Sequence, residues 1–304
     1  MARAVAIAVL LAAICPGVGD SVAANVRQGS IQVQGLTRNY ALYVPDSFSP
    51  GRRYPVVMML HGGIGSSTRF AENTGVGEYV DRGGFIAVFP DGGGGEWNDG
   101  RETTRSERDD VGFLVALVSD LVARSGADPA RVFVAGSSAG GMMTLRLACE
   151  ATRVFAAYAV AVANMPASLV GGCRPARRVP VLFFAATEDP FMPWSGGEVR
   201  RGWLRGAGGR VLSTLETIGF WSRYDGCGGS RTTELPNRLN DGTHVRLHDF
   251  GRCGVVFYEI QGGGHGWPGG VRSTDPRAER ILGHVTREIN ATSVMLDFFR
   301  RYGL

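Results

Sequence analysis

The chain has 304 residues, 44% of them apolar, with mean hydropathy near zero and a net charge of +4. That length suits one large core rather than clearly two domains, and so weak a charge sets up no field that would select nucleic acid. All 32 basic residues are arginine, which excludes Schiff-base lysines, Ser-Lys dyads and a Walker-type phosphate loop in one step.

Residues 1–24 read as a secretory signal. Arg3 is the only positive charge of the leading segment, Ala4 to Ile14 is an apolar run, and Val22-Ala23-Ala24 offers the small residues that signal peptidase needs. The run is too short to span a bilayer comfortably. Cleavage after Ala24 leaves 280 residues (304 − 24), and because Arg3 and Asp20 leave together the charge stays +4. Ile14 before Cys15 is too large for a lipoprotein signal, and no later apolar run is long enough for a membrane anchor. The expectation is a secreted or periplasmic protein with one domain over residues 25–304. Without Cys15, an even set remains: Cys149, Cys173, Cys227 and Cys253. In an exported chain this suggests two disulfides. Three pairings are open; Cys149–Cys173 with Cys227–Cys253 is favoured because each closes a local loop. Buried free thiols are the alternative, above all for Cys149 at the end of a helix.

Ser30–Gly35 and Tyr40–Val44 alternate as an antiparallel hairpin does. Tyr54–Leu60 and Phe85–Phe89 are continuous apolar runs, as expected of strands buried on both faces. The first ends in His61-Gly-Gly, the second in Pro90-Asp-Gly-Gly-Gly-Gly95. Gly75–Arg82 is a short helix candidate, and Asp110–Arg124 carries apolar residues at helical spacing. Val132–Ala135 is again a buried strand. It turns at Gly136-Ser-Ser-Ala-Gly140 into a helix-like run reaching Cys149. Phe155–Ala163, Val179–Ala185 and Val255–Ile260 are further strands, Thr214–Tyr224 is a helix, and Asn290 caps a last helix through Phe299. Gly226–Gly254 is polar and glycine-rich and reads as an excursion from the fold. Strands alternating with helices imply an α/β fold with a mainly parallel central sheet covered on both faces. Functional residues of such sheets gather at the carboxyl ends of the strands.

Gly-x-Ser-x-Gly between a strand and a helix reads as a nucleophile elbow with Ser138 at its tip. Alone it could be a Gly/Ser turn closing a βα unit. Asp189 and His265, however, each follow another strand, and Ser…Asp…His is the α/β-hydrolase order. Ser138 would be the nucleophile, His265 the general base and Asp189 the group that fixes the imidazole tautomer. The backbone N–H of Ala139 and one from the His61 loop, Gly63, would receive the oxyanion. Glu188 beside Asp189 reads as an exposed neighbour and His61 as a structural hydrogen-bonding residue. His244, His248 and His284 read as surface residues. Arg200, Arg201, Arg205 and Arg210 read as a solvated basic stretch, and Asn290-Ala-Thr292 as a helix cap rather than a glycan site. Trp97, Trp194 and Trp267 flank the strand-end loops and are candidates for an aromatic substrate wall, though each could equally pack the loops in place.

Several segments in order resemble the esterase family that includes polyhydroxybutyrate depolymerases and feruloyl or acetylxylan esterases. They are Leu60-His-Gly-Gly, Trp97-Asn-Asp-Gly-Arg101, Asp110-Val-Gly-Phe-Leu114, Asp128–Met142, Leu147-Ala-Cys-Glu150, Phe155-Ala-Ala157, Glu188–Pro193 and Gly263-Gly-His-Gly-Trp-Pro-Gly269. The likeness covers roughly residues 28 to 301 and implies the same roles for Ser138, Asp189 and His265. Ala139 departs from it, since many members carry asparagine there; its backbone N–H still serves. The expected function is hydrolysis of carboxylic esters: polyhydroxyalkanoate oligomers, feruloyl or acetyl esters, or small soluble esters. No metal or organic cofactor is implied. Two rivals are a secreted acyltransferase of the mycolyltransferase type and a non-catalytic binding protein on a hydrolase scaffold.

Overall fold

The computed structural model describes residues 25–63, 65–104, 108–200 and 208–304. The signal assigned to residues 1–24, and Arg201 and Arg205 of the basic stretch, lie outside the described residues. In chain order the elements are β1 (Asn25–Val33), β2 (Leu36–Val44), β3 (Tyr54–Leu60), α1 (Ser67–Thr74), α2 (Gly77–Gly83), β4 (Ile86–Pro90), α3 (Asp110–Arg124), β5 (Ala127–Ser137), α4 (Ala139–Glu150) and β6 (Ala157–Ala161). They continue with α5 (Ala167–Val170), β7 (Val181–Ala186), β8 (Gly197–Glu198), β9 (Arg210–Val211), α6 (Thr214–Tyr224), β10 (Arg231–Glu234), β11 (His244–Asp249), β12 (Val255–Gln261), α7 (Pro276–Leu282) and α8 (Ala291–Arg300).

Ten strands form one sheet in the order β1-β2-β4-β3-β5-β6-β7-β12-β11-β10. The six central strands, β4 to β12 in that order, run parallel; antiparallel pairs extend the sheet at both edges. The apolar runs form strands because both faces of the sheet are covered. Along β3, Tyr54, Val56, Met58 and Leu60 enter the core under α3, α4 and α6, while Val57 and Met59 enter the core under α1, α2 and α8. The protein has the α/β-hydrolase fold expected from the alternation of strands and helices.

One expectation is corrected and one element is added. Gly226–Gly254 is not an excursion from the fold, because β10 and β11 within it extend the central sheet. All four residues of β10 are exposed, as suits a short charged edge strand that discourages further pairing. The segment after His61-Gly-Gly carries a helix that the sequence did not predict. It continues into α1, capped by the Ser66 hydroxyl, which accepts the Arg69 N–H, and closed by left-handed Gly75.

Both favoured disulfides form. Cys149 at the end of α4 pairs with Cys173, and Cys227 after α6 pairs with Cys253 before β12. Loops of this size confer roughly 3 kcal/mol each by limiting the unfolded chain. Asn290 caps α8 through the Ser293 N–H.

Asp225 ends α6 fully buried, and its carboxylate accepts the Val179 N–H at 3.0 Å. Burial pushes its pKa up from 3.8 to about 6. Because the folded-state value is the higher one, this group favours folding below about pH 3.8 and loses that contribution as pH rises through about 6. Asp225→Asn keeps an oxygen for the Val179 N–H and removes the buried charge. Thermal melts should therefore show the variant more stable at pH 8, with the gain shrinking steadily as pH falls toward 4.

Candidate active site

The tip of the elbow is Ser138, with φ 55° and ψ −120° between β5 and α4. A serine in this region costs on the order of 1–3 kcal/mol unless its surroundings hold it. Here the Ser138 N–H donates to the Ala161 carbonyl at 2.9 Å, and its own carbonyl accepts the Met142 N–H at 2.9 Å. The flanking glycines are sterically required. A Cβ on Gly136 would lie 2.2 Å from the Gly140 carbonyl oxygen, and one on Gly140 would lie 2.2 Å from the Leu60 carbonyl oxygen. The turn thus presses α4 against the ends of β3 and β5 and leaves the first N–H groups of α4, Ala139 included, without helical acceptors.

Asp189 follows β7 and His265 follows β12, and these strands are neighbours. Their exit loops are tied together. Thr187 N–H donates to the Ile260 carbonyl, Glu188 N–H to the Gly263 carbonyl, and Gly262 N–H to the Thr187 hydroxyl, at 2.9–3.0 Å. These bonds bring His265 Nδ1 to 2.6 Å from Asp189 Oδ2. The other carboxylate oxygen, Oδ1, accepts the N–H groups of Phe191 and Met192, each at 2.8 Å. The Asp189 side chain is 1% exposed, whereas Glu188 is exposed, as expected of a bystander. Glycine at 264 lets the following chain close over the loop, since a Cβ there would sit 2.0 Å from the Leu282 carbonyl oxygen. Asn164, fully buried after β6, was not singled out by the sequence reading. It joins the Asp189 loop to α6 by donating to the Pro193 carbonyl and accepting the Thr214 hydroxyl.

His61 is buried with both ring nitrogens engaged. Gly92 N–H donates to Nε2 at 2.9 Å, so Nδ1 carries the proton and donates to the Gly62 carbonyl at 2.7 Å. Burial lowers its pKa and keeps it neutral. A ring so committed shuttles no proton; it orients the loop. Because the peptide unit is planar, fixing the Gly62 carbonyl also fixes the direction of the Gly63 N–H. Gly62 rests against Ser138, where an added Cβ would lie 3.3 Å from the serine Cβ, while Gly63 is exposed.

Ser138 and His265 line one cavity of about 490 Å³ with His61, Gly62, Gly63 and Ser137. Phe70 and Trp267 form its apolar floor, edge to face with ring centroids 5.6 Å apart. Of the three candidate wall tryptophans, only Trp267 reaches this cavity. Trp97 is 1% exposed and donates its indole N–H to the His61 carbonyl at 2.8 Å, so it packs the loop in place. Trp194 packs on Phe257 beneath the sheet's other face. The Trp97–Arg101 segment is held by buried carboxylates. Asp110 accepts the Asn98 N–H and pairs with Arg38 at 2.7 Å, and Asp99 grips Arg101. His244 and His284 are exposed, as expected, whereas His248 is half-buried, stacked on Phe257 and bonded to Glu259 at 2.9 Å. Arg200 and Arg210 are exposed. No helix among the described residues is long and apolar enough to cross a membrane.

A family model described as Esterase PHB depolymerase matches residues 38–170. The chain is 29% identical over 281 residues to a Nocardia uniformis protein named "Putative esterase NocK", covering 88% of this chain and 80% of the relative. It is 26% identical over 236 residues to feruloyl esterase B of Piromyces equi, covering 75% of this chain but 42% of that longer protein. Among solved structures, acetyl xylan esterase from Aspergillus awamori superposes with a TM-score of 0.60 at 15% identity, over 84% of this chain and 98% of that one, a likeness of fold.

Proposed function

Since the chain belongs to the polyhydroxybutyrate depolymerase and feruloyl esterase-like family of α/β-hydrolases and is a carboxylic-ester hydrolase, we propose that it works through a Ser138–His265–Asp189 acyl-enzyme mechanism. The observation that carries this reading is the His265–Asp189 pair, 2.6 Å apart, opening onto the cavity that also holds the strained Ser138. Asp189 Oδ2 accepts the Nδ1 proton, which leaves Nε2 bare to take the proton of Ser138 as its Oγ attacks the ester carbonyl. The tetrahedral oxygen is received by the N–H groups of Ala139 and Gly63, the latter aimed by His61. Collapse expels the alcohol, which takes the proton back from His265 Nε2. Water then repeats the sequence, with His265 as base, and frees the acid.

The substrates of this reading are polyhydroxyalkanoate oligomers, feruloyl or acetyl esters, or small soluble esters. Two disulfides support residence in an oxidising compartment, secreted or periplasmic. Burst kinetics with p-nitrophenyl acetate, together with mass-spectrometric mapping after treatment with an alkyl phosphonofluoridate, test the mechanism. One equivalent of label on Ser138 with loss of activity is expected; label on another residue, or activity surviving full labelling, would overturn it.

A further inference from the structure

The cavity around Ser138 is built between two walls that the hydrolytic steps do not use. One is α1, which contributes Arg69, Glu72 and Asn73; the other is the turn carrying Val271, Arg272 and Ser273. The walls are joined, since Asn73 Oδ1 accepts the Arg272 N–H at 3.1 Å and a Cβ on Gly270 would lie 2.7 Å from the Asn73 carbonyl oxygen. Arg69 stands one helical turn before Asn73, on the same face of α1. Two arginines far apart in the chain are thereby brought to one cavity.

Neither arginine has an acidic partner among the described residues, although Arg38, Arg101, Arg131 and Arg146 all do. Glu72 is the acidic side chain on the lining, so two positive charges face one negative charge. The same lining carries an apolar surface of Phe70, Trp267, Leu282 and Val285. A neutral ester would use that surface and leave the arginines to water. A guanidinium is instead shaped to receive a carboxylate by paired hydrogen bonds. We infer that this cavity selects esters that carry a free carboxylate on a short apolar body, with Arg69 and Arg272 as its specificity residues. The inference rests on the ester-hydrolase reading and deepens it. The carboxylate can belong to the acyl group or to the alcohol, as in a hydroxy-acid oligomer with a free end.

Matched substrates test it. On the acyl side, mono-p-nitrophenyl adipate is compared with the corresponding adipamic ester; on the alcohol side, β-butyryloxybutyrate is compared with its primary amide by pH-stat. In at least one arm, kcat/KM is expected to favour the carboxylate by roughly tenfold, as two exposed charge-assisted contacts would give. Arg69→Gln with Arg272→Gln should bring that ratio to about one, Glu72→Gln should raise it, and added salt should lower it in the unaltered enzyme. Equal rates for acid and amide in both arms would overturn the proposal, as would a preference that survives the double substitution or is indifferent to salt. The salt series needs no variant and so decides even if the double variant folds poorly. Failure of the mechanism itself would look different: cleavage of acid and amide esters alike would survive full labelling of Ser138.

Discussion

Exchanging Ser138 for alanine is expected to lower kcat by about 10⁶, the scale of loss when a triad nucleophile is removed. Both Ser137 and Ser138 line the cavity, so the choice between them is a physical question. Ser137 is the last residue of β5, buried and in register with Ala161. Ser138 alone has the positive φ that tips a side chain off the strand end, and Gly62 rests against it. Alanine retains the serine Cβ, so the exchange adds no atom to the contact with Gly62, and the melting temperature should stay within a degree or two of its starting value. The variant should still bind substrate, because the cavity floor and rim are untouched. Ser137→Ala is the comparison, expected to cost far less. Unimpaired ester hydrolysis by Ser138→Ala would remove the acyl-enzyme account.

The parts of the site that were legible in the sequence share one property: each follows a run of residues buried on both faces. Leu60, Ser137, Ala186 and Gln261 end neighbouring or near-neighbouring strands of the parallel core, so the loops after them converge in space. Order along the chain then sufficed to propose the triad residues. The glycines of the elbow were readable for the same reason, since a turn that tight leaves no room for Cβ atoms. What escaped lacked such a signal. α1 has eight residues, too few for periodicity to declare itself, though Ser66 and Gly75 are the cap residues that could have marked it. β10 is exposed on every residue, so it has no alternation to read. Trp97 was a plausible wall because a loop indole can face inward or outward; only its bond to the His61 carbonyl decides the direction. Arg69 and Arg272 are surface arginines in sequence and become neighbours of the cavity only through the Asn73 contact.

Asp189→Asn is expected to reduce kcat by about 10⁴, with little change in stability. The reason lies in how the carboxylate is held. Oδ1 receives the N–H groups of Phe191 and Met192, so an asparagine at this position must place its one oxygen there or strand two buried donors. Its NH₂ then takes the place of Oδ2, facing His265 Nδ1. Two donors cannot share that contact. The imidazole answers by moving its proton to Nε2, the nitrogen that must be bare to receive the Ser138 proton. The fold loses almost nothing, because both backbone donors keep their acceptor, while the base is locked in the wrong tautomer. The neighbouring carboxylate provides the contrast. Glu188 is exposed, and Glu188→Gln should leave kcat within about twofold. Steady-state assays of the two variants on one activated ester separate the positions. A large loss at Glu188 with a small one at Asp189 would transfer the acid to Glu188 and require the β7 loop to turn over, against the bonds that Thr187 and Glu188 make to the β12 loop.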